Sequence, residues 1–303
     1  MSLKRLAVLI PIVMLPLGLW LGYRAFHKYS WSDIAASVTL IPTFNLILAA
    51  IYVAGSYLCL TGFDTLAVRY VGRSLPYRRI SLTSFVSLSI SHTIGLSPLS
   101  SGALRYRFYS GFGLTGVDVG KIILFCAVTV GLGLMSLGGV ALIWKPDLSL
   151  GLLGLTPAVA RIAGLLCLAL VSAYVLLAWK LRWPLTLRGH EFFLPRPGIA
   201  LAQIVVGTAN FAFVAAALQS LLTKSASYSE TVTAYVLGNA AGLLTHIPAG
   251  LGVFEFVITS LVTHGNVIGA LIAFRLMYFL IPLLLGSTLF AAAELVRLGM
   301  HER

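Results

Sequence analysis

Arg105, Glu255 and Arg275 are charged side chains set in stretches of chain that are otherwise largely uncharged. A guanidinium can clamp a phosphate through its planar fork of donors, and a carboxylate inside a membrane can bind a cation or carry a proton. Arg107, Tyr106 and Tyr278 lie within three residues of one or other arginine. Ser97, Ser100 and Ser101 precede Arg105 and add neutral donors and acceptors. His92 and His246 stand one before each of the two Gly/Pro interruptions of the chain, as proton carriers or as neutral imidazoles bonded to freed carbonyls. Each of these residues also has a bland reading. Arg105 and Arg107 can snorkel to a membrane surface, Glu255 can cap a helix turn, and tyrosines are routine at membrane interfaces. No HExxH or CxxC spacing and no paired carboxylates occur, so no metal, cofactor or catalytic residue is expected.

The elements that position these residues are irregular. Residues 80–112 hold ten Ser/Thr between Ser81 and Ser101 and are interrupted by Gly95, Pro98 and Gly102. Residues 229–264 are interrupted by Gly238, Gly242, Pro248, Gly250 and Gly252. Each segment reads as a re-entrant helical hairpin or a pair of short packed helices. Arg105 and Glu255 both fall three residues past the last glycine of their break. A cation in a first helical turn opposes the helix dipole, whereas a carboxylate there favours it.

Around these segments the chain is a membrane protein. Of its 303 residues 59% are hydrophobic and only 10% charged, and mean hydropathy is +0.97. A soluble domain carries about 25% charged residues. That excludes a soluble enzyme, a disordered tail and a secreted disulfide scaffold. Cys59, Cys126 and Cys167 lie far apart inside apolar runs and read as packing residues. Six stretches have the roughly 20 apolar residues a bilayer demands: 6–23, 44–63, 122–144, 157–179, 198–222 and 267–295. The first ends in Trp20 and Tyr23 rather than small residues, so it reads as a retained span. The expected architecture is an all-α polytopic membrane protein with about six full spans and two re-entrant hairpins.

The net charge of +12 fits positive-inside topology. With the N-terminus in the cytoplasm and both hairpins returning to their side of entry, fifteen basic residues fall on the cytoplasmic side. Four fall opposite: Arg24, Lys28, Lys145 and Lys224. Both termini are then cytoplasmic. A shift of 150 residues also superimposes the two irregular segments, pairing Thr83 with Thr233, Val86 with Val236, Pro98 with Pro248 and Gly102 with Gly252. Two inverted repeats, 43–145 and 198–298, are expected within one membrane domain spanning 1–303. Interrupted segments at matching places in inverted halves point to a transporter's central site.

The residues at these breaks resemble a known family. Phe63–Gly72 (FDTLAVRYVG), Ser91–Ser97 (SHTIGLS), Gly102–Ser110 (GALRYRFYS), His246–Glu255 (HIPAGLGVFE) and Ala273–Pro282 (AFRLMYFLIP) resemble the membrane region of the lysylphosphatidylglycerol synthase/flippase (MprF) family, in its stand-alone YbhN-like branch. The resemblance runs from about residue 50 to 295. It implies movement of phospholipid, anionic or aminoacylated, across a bacterial inner membrane. The few residues after the last span leave no room for the family's aminoacyl-transferase domain, so synthase activity is not expected. Ser91–Thr93 also replace an asparagine-rich stretch of that pattern, which leaves the headgroup open.

The favoured expectation is a phospholipid flippase or scramblase whose headgroup site lies between the hairpins. The alternatives are an intramembrane enzyme acting on a headgroup, and a non-transporting partner that presents lipid to a separate synthase. No nucleic-acid partner is expected, and assembly as an oligomer is compatible with the sequence.

Overall fold

A computed structural model describes residues 31–94, 97–148, 154, 156–181, 185–187, 190–192, 194–223, 226–245, 252–262 and 266–301. The expected first span, 6–23, and three predicted break and site residues, His246, Pro248 and Gly250, lie outside the described residues, as does Gly95.

The chain is an all-α polytopic membrane protein. Its helices in order are α1 (Trp31–Thr39), α2 (Thr43–Tyr70), α3 (Tyr77–Ile94), α4 (Ser97–Gly111), α5 (Gly116–Trp144) and α6 (Pro157–Lys180). A short antiparallel ribbon pairs β1 (Leu185–Leu187) with β2 (His190–Phe192). Then come α7 (Pro197–Leu222), α8 (Tyr228–Thr245), α9 (Val253–Leu261), α10 (Val267–Arg275), a π turn (Leu276–Leu280) and α11 (Ile281–His301). Among the described residues five stretches are long and apolar enough to cross a bilayer: α2, α5, α6, α7 and the continuous helix Val267–Leu295. These are the five expected spans that fall in the described chain. Several overrun their apolar stretch, and α2 continues seven residues past Phe63.

Helix starts follow local chemistry. Thr115 and Asp118 form a reciprocal capping box at the start of α5, with Asp118 N–H donating to Thr115 Oγ1 at 3.2 Å and Thr115 N–H to Asp118 Oδ2 at 3.0 Å. Ser227 and Glu230 repeat the arrangement at α8. Proline opens α6 and α7, where its missing N–H costs nothing.

The long helices α2 and α7 pack on one another at the centre. Helix α5 lies against α6 and α7, and glycines set its closest approaches. A Cβ on Gly133 would collide with the backbone of Gly207, and one on Gly139 would come within 2.9 Å of Gly164 O. Small residues at crossings let membrane helices pack by direct backbone contact. The order long, short, short, long occurs twice, in α2–α5 and in α7–α11. Each closing helix also packs on the first short helix of the other set: α5 on α8, and α11 on α3.

Candidate functional site

The first interruption is shorter than the sequence pattern suggests. Helix α3 ends at Ile94 and α4 begins at Ser97, so Pro98 occupies a first turn that tolerates it. Gly102 is not a break residue. It sits buried inside α4, where a Cβ would lie 3.0 Å from Ile123 of α5. Arg105 is therefore the ninth residue of α4, clear of the first turn, and the expected conflict with the helix dipole does not arise.

Arg105 is 3% exposed and is held by a partner the sequence did not reveal. Its Nε donates to Asp64 Oδ1 at 2.9 Å and its Nη2 to Oδ2 at 2.7 Å. Tyr109 OH also donates to Oδ1 at 2.9 Å, and Ser84 Oγ lies 2.9 Å from Oδ2. Asp64 stands one residue past the apolar stretch 44–63, yet it is fully buried, because α2 runs on to Tyr70 and carries the carboxylate inside. Isolated, either charge would cost several kcal/mol to bury. The four contacts compensate the carboxylate and tie together α2, α3 and α4, while Arg105 Nη1 takes part in none of them.

Arg107 donates to Glu294 through Nε at 3.1 Å and Nη2 at 2.6 Å, joining α4 to α11. Tyr106 is half-buried against the main core. Ser100 and Ser101 are buried. Ser97 opens α4, but its side chain lies outside the described set.

The second interruption ends at Gly252, whose φ of 86° favours a residue without Cβ. Glu255 is the third residue of the following turn, and its Oε2 accepts from Gly252 N–H at 2.8 Å. Its Oε1 accepts from Arg275 Nε. Capping and ion pairing are thus carried by one carboxylate, each through a different oxygen. The Arg275 guanidinium also lies 5.6 Å from the centroid of the Phe279 ring, a cation–π contact.

Between the two interruptions runs a ladder of rings. His92, near the end of α3, stacks on Tyr278 at 5.9 Å; Tyr278 stacks on Phe274 at 5.4 Å; and Phe274 stacks on Phe254, in the first turn of α9, at 5.9 Å. Tyr57 of α2 packs beside His92 and Tyr278, and its hydroxyl donates to Tyr278 O at 3.2 Å. The π turn at 276–280 leaves carbonyls without regular α-helical partners, and such turns recur at functional sites. Ser56 Oγ donates to Asn210 Oδ1 at 2.7 Å and lies 3.4 Å from Tyr278 OH. Asn210 and Gln203 thus bridge helices, as expected for amides inside a membrane; Gln203 joins α7 to both α5 and α6.

The last two turns of α3 are unusual. Ser87 Oγ, Ser91 Oγ, His92 Nδ1 and Thr93 Oγ1 are buried without a hydrogen-bond partner among the described residues. Most buried polar groups in proteins are paired, and each exception calls for an explanation. Among the described residues no group of three His, Cys, Asp or Glu is placed to hold a metal.

These features define the class: a polytopic helical membrane protein with a buried ion pair and an aromatic–polar centre. The chain is 32% identical over 283 residues to the uncharacterized protein slr0712 of Synechocystis sp., covering 91% of this chain and 87% of that protein. It is 29% identical over 277 residues to the inner membrane protein YbhN of Escherichia coli (strain K12), covering 88% and 86%. No family model matches the sequence. The chain belongs to the family of YbhN-like inner membrane proteins.

Proposed function

We propose that this chain is a translocase for phospholipids or modified lipids of the bacterial inner membrane, with both termini in the cytoplasm. The lipid headgroup passes between the two interrupted segments, read as re-entrant hairpins of two inverted repeats. The observation that carries the reading is the convergence of the interruptions on one ring ladder, His92–Tyr278–Phe274–Phe254, with the Glu255–Arg275 pair at one end. Ionisable groups at membrane depth are expensive and by default functional. Unpaired polar atoms beside His92 are the groups a passing headgroup would satisfy. Arg105 offers Nη1 to a phosphate while Asp64 fixes its orientation, and Arg275 offers the guanidinium edge that Glu255 leaves open. The likeness of five sequence stretches to the MprF membrane region supports the same reading. We propose transport rather than catalysis, because among the described residues no nucleophile–base set accompanies these side chains.

The test is reconstitution into liposomes carrying a labelled phospholipid. Wild-type protein is expected to accelerate flip-flop, and Arg105→Ala and Glu255→Ala to abolish most of that acceleration. Flip-flop no faster than in protein-free liposomes overturns the proposal. New lipid species formed by purified protein would favour a headgroup-modifying enzyme. Co-purification with a synthase, without transport, would favour a lipid-presenting partner.

A further inference from the structure

Away from the ring ladder, the start of α2, the end of α7 and Tyr228 of α8 line an open cavity of about 870 Å³. Ligand sites typically enclose about 300–1,000 Å³. On α7 its wall runs from Ala209 to Thr223, which at 1.5 Å per residue is about 21 Å of depth. One leaflet accounts for about half of a 30 Å hydrocarbon core, so the groove is as deep as a leaflet with its interface.

Its polarity is graded. Asn45, Gln219 and Thr223 line the end where α2 begins and α7 stops, and Leu48, Tyr52, Ala212, Phe213 and Tyr228 line the deeper part. Several polar groups are fixed by protein bonds: Asn45 Nδ2 donates to Ser220 O at 2.7 Å, Gln219 Nε2 to Ala226 O at 2.7 Å, and Tyr228 OH to Ala212 O at 3.1 Å. None of the lining residues is charged. Three alanines, Ala209, Ala212 and Ala216, keep the α7 wall recessed, whereas the lipid-facing side of α6 presents exposed leucines such as Leu165, Leu166 and Leu170.

We infer that this groove seats one phospholipid of that leaflet. An acyl chain lies along the alanine face, and the ester–glycerol region lies against Asn45, Gln219 and Thr223. A neutral rim recognises the part common to all phospholipids, so the seat takes zwitterionic and anionic lipids alike. Helix α1, the described element before α2, packs on α10 and is not among the groove's lining. The seat is separate from the proposed headgroup path and stands whether or not the chain moves lipid.

The test uses the full chain in vesicles of phosphatidylethanolamine and phosphatidylglycerol. A trace of either lipid carries a photoactivatable diazirine near the end of one acyl chain, and adducts are mapped by peptide mass spectrometry. Adducts at residues 48–52 and 209–216 are expected several-fold above those at residues 165–170 of α6, and equal for the two headgroups. Ala212→Phe, which fills the groove, should remove that excess while leaving α6 labelling unchanged. The inference is overturned if the wild-type groove is labelled no more than α6, if one headgroup alone gives the excess, or if Ala212→Phe leaves the excess intact. Crosslinks from the groove to residues 6–23 in place of lipid would overturn it too, in favour of the chain's own first span. Transport measured in parallel separates this outcome from the fate of the translocase proposal.

Discussion

Asp64 and Arg105 show what a single buried pair does in this chain. Both are removed from solvent, and the carboxylate takes hydrogen bonds from Arg105 and Tyr109 and sits beside the Ser84 hydroxyl. Truncating one partner leaves the other charge buried and unpaired. Asp64→Ala and Arg105→Ala are each expected to cost about 3–5 kcal/mol in stability. Asp64→Leu with Arg105→Met removes both charges and should be less destabilised than either single variant. Thermal unfolding of the three proteins in one detergent checks the order. Glu255 and Arg275 keep 24% and 11% side-chain exposure, so their pair is less critical to folding. Glu255→Gln keeps an acceptor for Gly252 N–H and loses the charge. It should cost about 1–3 kcal/mol and slow lipid flip-flop about tenfold or more, where tenfold corresponds to about 1.4 kcal/mol. Near-normal flip-flop in a folded Glu255→Gln protein would remove Glu255 from the proposed site.

At the scale of elements, glycine decides how closely the helices meet and where they break. Gly133 and Gly207 bring α5 and α7 into backbone contact. Gly133→Val places a branched side chain where no space exists and is expected to cost about 3 kcal/mol or more. A fall in the temperature at which the protein loses its monodisperse gel-filtration peak measures this. Gly252 acts through its positive φ and has no atom within 4 Å of an ideal Cβ. Gly252→Ala should therefore cost about 1–3 kcal/mol through backbone strain alone. If hydrogen exchange shows that loss confined to α9 and its neighbours, the second interruption is a locally stable unit. Of the ring ladder, Phe254 is placed by the turn at Gly252, and Tyr278 by the π turn, which packs on α2 and α3.

For the whole molecule, the bilayer is the organising solvent. The crossing helices expose apolar side chains outward and turn serine, threonine, asparagine and glutamine inward. The charge pattern predicts which end of each helix faces the cytoplasm. In a chain whose three native cysteines are replaced, Arg78→Cys should resist a membrane-impermeant thiol reagent in intact cells. Lys145→Cys should react. The opposite result would reverse the proposed orientation and place the lateral groove in the cytoplasmic leaflet.

The sequence by itself determined the class, the five described spans and the neighbourhood of both interruptions. The bilayer imposes a length and a polarity on each segment separately, so these are local properties that apolar runs, glycines and prolines spell out. It also offered capping as one reading of Glu255, since a carboxylate at that position of a helix satisfies backbone N–H groups. It extended the first break as far as Gly102, because a glycine that admits a neighbouring helix looks the same in sequence as one that ends a helix. Tertiary structure alone decided that Asp64, 41 residues away, is the partner of Arg105. It alone aligned four rings from α3, α9, α10 and the π turn into one stack. Those choices depend on which helix faces meet and at what distance, and that is set by packing shape summed over the whole chain rather than by any short run of residues.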